Sequence, residues 1–181
     1  MRVSNRPLNW YPHPPQPGCP YRHWLTDQGS LTRRIQARCS TFSVRHVTQR
    51  FGKSAPDEAA RTGLQPRQYA LLREVFLYCG ETPMVFAHSV LPKPSLRGAW
   101  YGLGRLGNKP LGAALFSTPR IKRAPLEFKK LSPRHPLYHR ACRLLPHRPS
   151  HLWARRSVFQ LHGKPILVTE VFLPAILELR P

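Results

Sequence analysis

The clearest alternation of hydrophobic and polar positions runs through residues 163–174, GKPILVTEVFLP. Strand side chains alternate faces, so Ile166, Val168, Glu170 and Phe172 share one face while Leu167, Thr169, Val171 and Leu173 share the other. One carboxylate thus stands among branched and aromatic neighbours, where an ionised group without a cation, a donor or a wet cavity is strongly disfavoured. In residues 69–79, YALLREVFLYC, the same rule puts Arg73 on a face with Leu71, Val75, Leu77 and Cys79, and Glu74 on the opposite face, expected to meet solvent. TPMVFAHSVLP follows after Gly80 and Glu81, and the two runs predict a β-hairpin. HLWARRSVFQL and KPILVTEVFL, joined around His162, Gly163 and Lys164, predict a second. Each run has apolar residues at both parities, which predicts a sheet partly covered on both faces or strands bordering an internal pocket.

Between these hairpins the pattern is less regular. Ser30 is placed to cap a short helix through Arg38, with Leu31 and Ile35 on one face, and TFSVRHVTQRF then takes a strand rhythm. Residues 96–117 are rich in glycine, and Pro110 suits the first position of a helix ending at Phe116. STPRIKRAPLEF predicts a strand with prolines at its edges, and residues 129–150 form a basic excursion bounded by prolines. The proline-rich residues 1–20 are expected to be a disordered lead-in, with a single domain over 21–177. About six strands in hairpins with a few short helices define an α+β fold on one antiparallel sheet.

Charge sharpens the interest in Glu170 and Arg73. The 181 residues hold 29 Lys and Arg against eight Asp and Glu, a formal charge of +21. Such a field draws anions of every kind and does not choose among them. With so few carboxylates, one inside an apolar strand is conspicuous. Cys19, Cys39, Cys79 and Cys142 form no C-x-x-C pair, no secretory signal core is present, and no apolar run approaches the roughly 20 residues that span a bilayer. These features predict a reduced, cytoplasmic protein without a transmembrane segment.

Arg73 and Glu170 admit two readings: they pair with each other, or they line a cavity for a small anionic ligand, Arg73 taking a carboxylate in fork geometry and Glu170 a polar group. Arg155 and Arg156 are candidates for a second carboxylate. His135, His139 and Cys142 have the i, i+4, i+7 spacing of a helix face, but nine histidines in a basic chain produce such spacings readily, so no metal site is expected. GLGRLG, residues 102–107, lacks the G-x-G-x-x-G order and suits a flexible cover over a pocket. No recognised nucleic-acid module accompanies the charge, so no specific nucleic acid is expected as a partner.

WLTDQGSLTRRI, LLREVFLYCGETPMVFAHSVLP, LGRLGNKPLGAALF and LWARRSVFQLHGKPILVTEVFLPA, in that order and covering most of residues 24–175, resemble the chorismate pyruvate-lyase family. That family makes 4-hydroxybenzoate for bacterial ubiquinone synthesis. The resemblance implies a monomer with a six-stranded antiparallel sheet and an internal aromatic-acid site closed by helical flaps, working without a cofactor. It implies that Arg73 holds the ring carboxylate and Glu170 meets the ring hydroxyl, as the catalytic pair. Leu111 matches a ligand-contacting position, and Leu31 falls where some members have methionine. The same fold is similar to the effector-binding domains of GntR-class regulators, which bind small molecules without turning them over. That is the alternative reading, with a basic nucleic-acid-binding protein as a third.

Overall fold

Strand pairing organises the computed structural model, which describes residues 10–65 and 68–179, without the side chain of residue 46. In chain order the strands are β1 (Phe42–Gly52), β2 (Ala70–Cys79), β3 (Thr82–Pro92), β4 (Lys122–Arg123), β5 (Glu127–Leu131), β6 (Leu152–Leu161) and β7 (Lys164–Phe172). They form one antiparallel sheet in the order β1-β2-β3-β7-β6-β4, with β5 also paired to β6. The α+β class stands, with seven strands instead of six; the count differs because STPRIKRAPLEF splits at its prolines into β4 and β5.

Short helices cover both faces. α1 (Arg22–Leu25), α2 (Leu31–Gln36), α4 (Lys93–Leu96) and α5 (Leu111–Phe116) surround one face, where Trp24, Leu25 and Ile35 pack with Val75, Leu77 and Phe172. Ser30 Oγ accepts from Arg33 N at 3.4 Å and caps α2 as its sequence predicts. On the other face lie α3 (Pro56–Thr62) and α6 (Pro136–Ala141), the latter burying Leu137, Tyr138 and Ala141 beside Phe76, Phe86 and Val171. The basic excursion is therefore not all solvated surface: its apolar positions roof the sheet. His135 accepts from Leu137 N at the start of α6, and Cys142 is buried.

Three expectations need correction. Glu74 does lie opposite Arg73 in parity, yet it is 5% exposed, because α3 and α6 cover that face. The proline-rich lead-in is not disordered throughout: Trp10 is buried, its Nε1 donates to Asp57 at 3.1 Å, and Tyr11 and Phe128 exchange backbone hydrogen bonds. Residues 1–9 lie outside the described residues. Finally, Cys39 and Cys79 are joined in a disulfide, so the four cysteines are not all thiols. Their separation of 40 residues hides what the β1–β2 register creates, since Phe42 stands opposite Cys79.

Candidate active site

Register fixes the two conspicuous charges. Arg73 on β2 stands opposite Ser89 on β3, and Ser89 opposite Val168 on β7. Glu170 is two residues further along, so the Cα atoms of Arg73 and Glu170 are roughly 12 Å apart from strand spacing and rise. The two side chains make no hydrogen bond or ion pair with each other among the described residues, and both line one cavity. Its walls include Arg73, Val75, Leu77, Ala87, Val168 and Glu170 from the sheet, and Leu31, Thr32, Leu111, Leu115 and Phe116 from α2 and α5. The four residues to which the family resemblance gives ligand contacts, Arg73, Glu170, Leu111 and Leu31, thus line one space, and so does the candidate Arg155. Leu31 and Leu111 are the first residues of α2 and α5, where backbone N–H groups have no intrahelical partner.

Arg73 is 2% exposed. Its Nη2 donates to Gly107 O and Lys109 O, both at 2.9 Å, which ties the strand to the glycine-rich segment above it. Its Nε is buried without a hydrogen-bond partner among the described residues. Burial pulls the guanidinium below its ordinary pKa, and no carboxylate offsets that effect. A desolvated arginine with an unused donor facing a cavity is suited to a carboxylate supplied from outside the chain.

At the other end the cation that Glu170 requires is Arg155, directly opposite it in the β6–β7 pairing. Arg155 Nε donates to Glu170 Oε2 at 2.6 Å, and Nη1 donates to the carbonyls of Trp24, Leu25 and Asp27 at 3.0, 3.3 and 2.6 Å. The fully buried guanidinium therefore clamps the end of α1 to the glutamate. A carboxylate has about four acceptor positions, so Glu170 keeps capacity for a ligand hydroxyl. Arg156, the neighbouring candidate, points through the sheet to Asp57 at 2.6 Å and Glu127 at 2.8 Å and is absent from the cavity wall. Arg123, on β4, also lines the cavity and was not foreseen; the only sequence signal was its place in a proline-flanked strand.

The opposite face holds a separate charged cluster. His88 Nδ1 lies 3.1 Å from Glu74 Oε1, its Nε2 makes an ion-pair contact of 3.2 Å with Glu58 without hydrogen-bond alignment, and Arg140 also pairs with Glu74. Among the described residues no group of three or more His, Cys, Asp or Glu side chains is arranged to hold a metal ion.

A family model described as chorismate lyase matches residues 16–179. A probable chorismate pyruvate-lyase of Nitrosomonas europaea is 54% identical over 179 residues, covering 99% of this chain and all of that one. Another, from Nitrosospira multiformis, is 56% identical and covers 94% of this chain and 96% of its own. Among solved structures, the effector domain of PhnF from Mycobacterium smegmatis aligns over 82% of this chain and 90% of its own with a TM-score of 0.55. A GntR-family regulator from Bacillus cereus aligns over 74% and 92% with a TM-score of 0.54. At 14% and 12% identity, these two likenesses concern the fold alone.

Proposed function

The chain belongs to the chorismate lyase family, and we propose that it eliminates pyruvate from chorismate to leave 4-hydroxybenzoate, in the cavity between Arg73 and Glu170. The observation that carries this reading is the pair of unlike ends: a buried arginine with an unused donor, and a clamped carboxylate across an apolar space. A ring with a carboxylate at one pole and a hydroxyl at the other matches those ends.

Chorismate is a cyclohexadiene with a carboxylate at C1, an enolpyruvyl ether at C3 and a hydroxyl at C4. Breaking the C3–O bond with loss of the C4 proton forms the third ring double bond. The electron pair of the C–O bond leaves with the enolpyruvate, which takes a proton at its methylene carbon to become pyruvate. The step is redox-neutral and aromatisation drives it. The protein's task is to orient the ring and stabilise the departing anion. Arg73 holds the C1 carboxylate, and Glu170, held by Arg155, accepts from the C4 hydroxyl. Val75, Leu111 and Val168 exclude water from the ring. Arg73 and Glu170 are the catalytic pair in this reading, and Leu31 and Leu111 complete the binding wall.

The reading also carries a monomer working in the cytoplasm, with chorismate as substrate and 4-hydroxybenzoate as product of ubiquinone synthesis; among the described residues no helix is long and apolar enough to cross a membrane. Purified protein mixed with chorismate should release 4-hydroxybenzoate, followed by its absorbance, and pyruvate in equal amounts. Binding of 4-hydroxybenzoate with no turnover of chorismate would instead favour an effector-binding role.

A further inference from the structure

A dianionic substrate leaves one of its charges unassigned when Arg73 takes the ring carboxylate. We propose that Arg123 binds the carboxylate of the enolpyruvyl group and so determines that the site selects chorismate over monoanionic aromatic acids; this rests on the reading of the cavity given above.

Arg123 has the chemistry and the place for this. It pairs with Phe159 on β6, and its guanidinium lies 5.2 Å from the Phe159 ring centroid and 5.5 Å from that of Phe116. Nη1 donates to Gln28 O at 2.8 Å, while Nε is buried without a hydrogen-bond partner among the described residues. Two of the cavity's arginines, Arg73 and Arg123, thus share the same signature of a buried, unused Nε. Arg155 does not share it, because Glu170 and three carbonyls engage its donors.

Position along the cavity follows from the contacts. Arg123 Nη1 donates to Gln28 O, and Arg155, which holds Glu170, donates to the carbonyl of the adjacent Asp27 at 2.6 Å, whereas Arg73 is tied to Gly107 and Lys109. With β4 beside β6 and β2 beyond β3 in the sheet, Arg123 sits at the Glu170 end, away from Arg73. In chorismate the ether carbon C3 adjoins the hydroxyl carbon C4 and lies meta to the ring carboxylate. A ring oriented between Arg73 and Glu170 carries its enolpyruvyl arm to the end where Arg123 stands. The formal charges agree: Arg73, Arg123 and Arg155 against Glu170 leave two positive charges for a dianion. After elimination the second carboxylate departs with pyruvate, so Arg123 has no charge to hold on 4-hydroxybenzoate.

The test separates a dianion from a monoanion in the same pocket. Binding of 4-hydroxybenzoate and of 3-(carboxymethoxy)-4-hydroxybenzoate, a stable dianion with its second carboxylate on a 3-ether, is measured by titration calorimetry, alongside chorismate kinetics. For Arg123→Gln, the chorismate KM and the dianion Kd should rise roughly 10- to 100-fold, the loss expected for one charge-assisted contact, while the 4-hydroxybenzoate Kd changes by less than about threefold. Arg123→Lys should restore part of the dianion affinity and serves as the second variant if Gln at this position disturbs folding, which thermal melting reports. Equal losses for both ligands in a folded variant, or an unchanged dianion Kd, would overturn the assignment to Arg123. Arg73→Ala is the control for the underlying site: it should weaken both ligands, and a 4-hydroxybenzoate Kd unaffected by it would overturn the orientation of the ring itself.

Discussion

Glu170 shows how one side chain's role depends on what stands across the sheet from it. Arg155 supplies both a partner for its charge and a fixed geometry, since that guanidinium is itself tied to three carbonyls at the end of α1. A carboxylate held in this way can orient a hydroxyl with little freedom to lose on binding. Glu170→Gln keeps the shape and an acceptor but removes the charge and any proton exchange. If Glu170 takes part in proton transfer, kcat should fall by roughly 10² to 10⁴. Single-turnover measurement gives the answer, and a loss of tenfold or less would limit Glu170 to positioning. The partner itself was within reach of sequence arithmetic. The two-residue turn of His162 and Gly163, with φ of 50° and 71°, pairs Leu161 with Lys164, and counting back along both strands brings Arg155 opposite Glu170. Alternation alone named the face; the turn type was needed to name the partner.

At the scale of elements, the two faces of the sheet use charge differently. The cavity face leaves arginine donors without a charged partner, whereas the far face pairs its charges: Glu58 from α3, Glu74 from β2, His88 from β3 and Arg140 from α6 meet in one cluster. Burial pushes the His88 pKa down, but pairing with Glu58 and Glu74 outweighs it and raises it above the ordinary 6.5. Burial pushes both glutamates up, and the contacts with His88, joined by Arg140 and, for Glu58, by the Ala55 N–H, outweigh it and hold them below 4.5. The two shifts act in opposite pH directions. The His88 contribution is complete below pH 6.5 and is lost as pH rises through the raised value. That of the glutamates is complete above pH 4.5 and is lost as pH falls through the lowered ones. Stability from this cluster should therefore peak between those limits, and urea midpoints collected across pH should decline on both sides. His88→Ala should cost about 3 kcal/mol by removing the cation between two buried carboxylates, even though Glu74 keeps Arg140 and Glu58 keeps the Ala55 N–H, and should flatten the decline on the alkaline side. A wild-type midpoint that stays level from pH 6 to 9 would count against the imidazolium bridge. Because Ala87 and Ser89 flank His88 and face the cavity, the cluster also braces the strand that runs between Arg73 and Glu170.

Over the whole molecule the eight acids are unevenly spread. Asp57, Glu58, Glu74 and Glu127 are engaged with Arg156, His88, Arg140 and Arg61 on the far side of the sheet. No acid occurs between Glu81 and Glu127, the stretch that holds α4, the glycine-rich segment, α5 and β4. This stretch, which supplies α5 and Arg123 to the cavity wall, carries basic charge only, a field that draws a dianion toward the cavity. Exposed charges are screened over about 8 to 10 Å at physiological salt, while desolvated contacts inside the cavity are shielded. Raising ionic strength should therefore lower kcat/KM for chorismate more than kcat. A kcat that falls in parallel would place the salt effect inside the site instead of on capture.

The boundary between what the chain spells out locally and what folding alone assembles is visible in these same groups. Period-two alternation put Arg73 and Glu170 on apolar strand faces, and turn residues fixed both hairpins, because strand geometry makes a side chain's face a function of sequence position alone. The caps at Ser30 and Pro110 were local as well, and gave α2 and α5 nearly to the residue. Exposure was not local. Glu74 read as a solvent-facing residue because its cover comes from α3 and α6, distant stretches whose docking no alternation in β2 records. The same holds for Trp10 against Arg156, for the Cys39–Cys79 bond, and for Arg123, each defined by a partner many residues away. Local pattern fixes direction relative to the backbone, whereas which long-range partner lies in that direction is decided only when the elements pack.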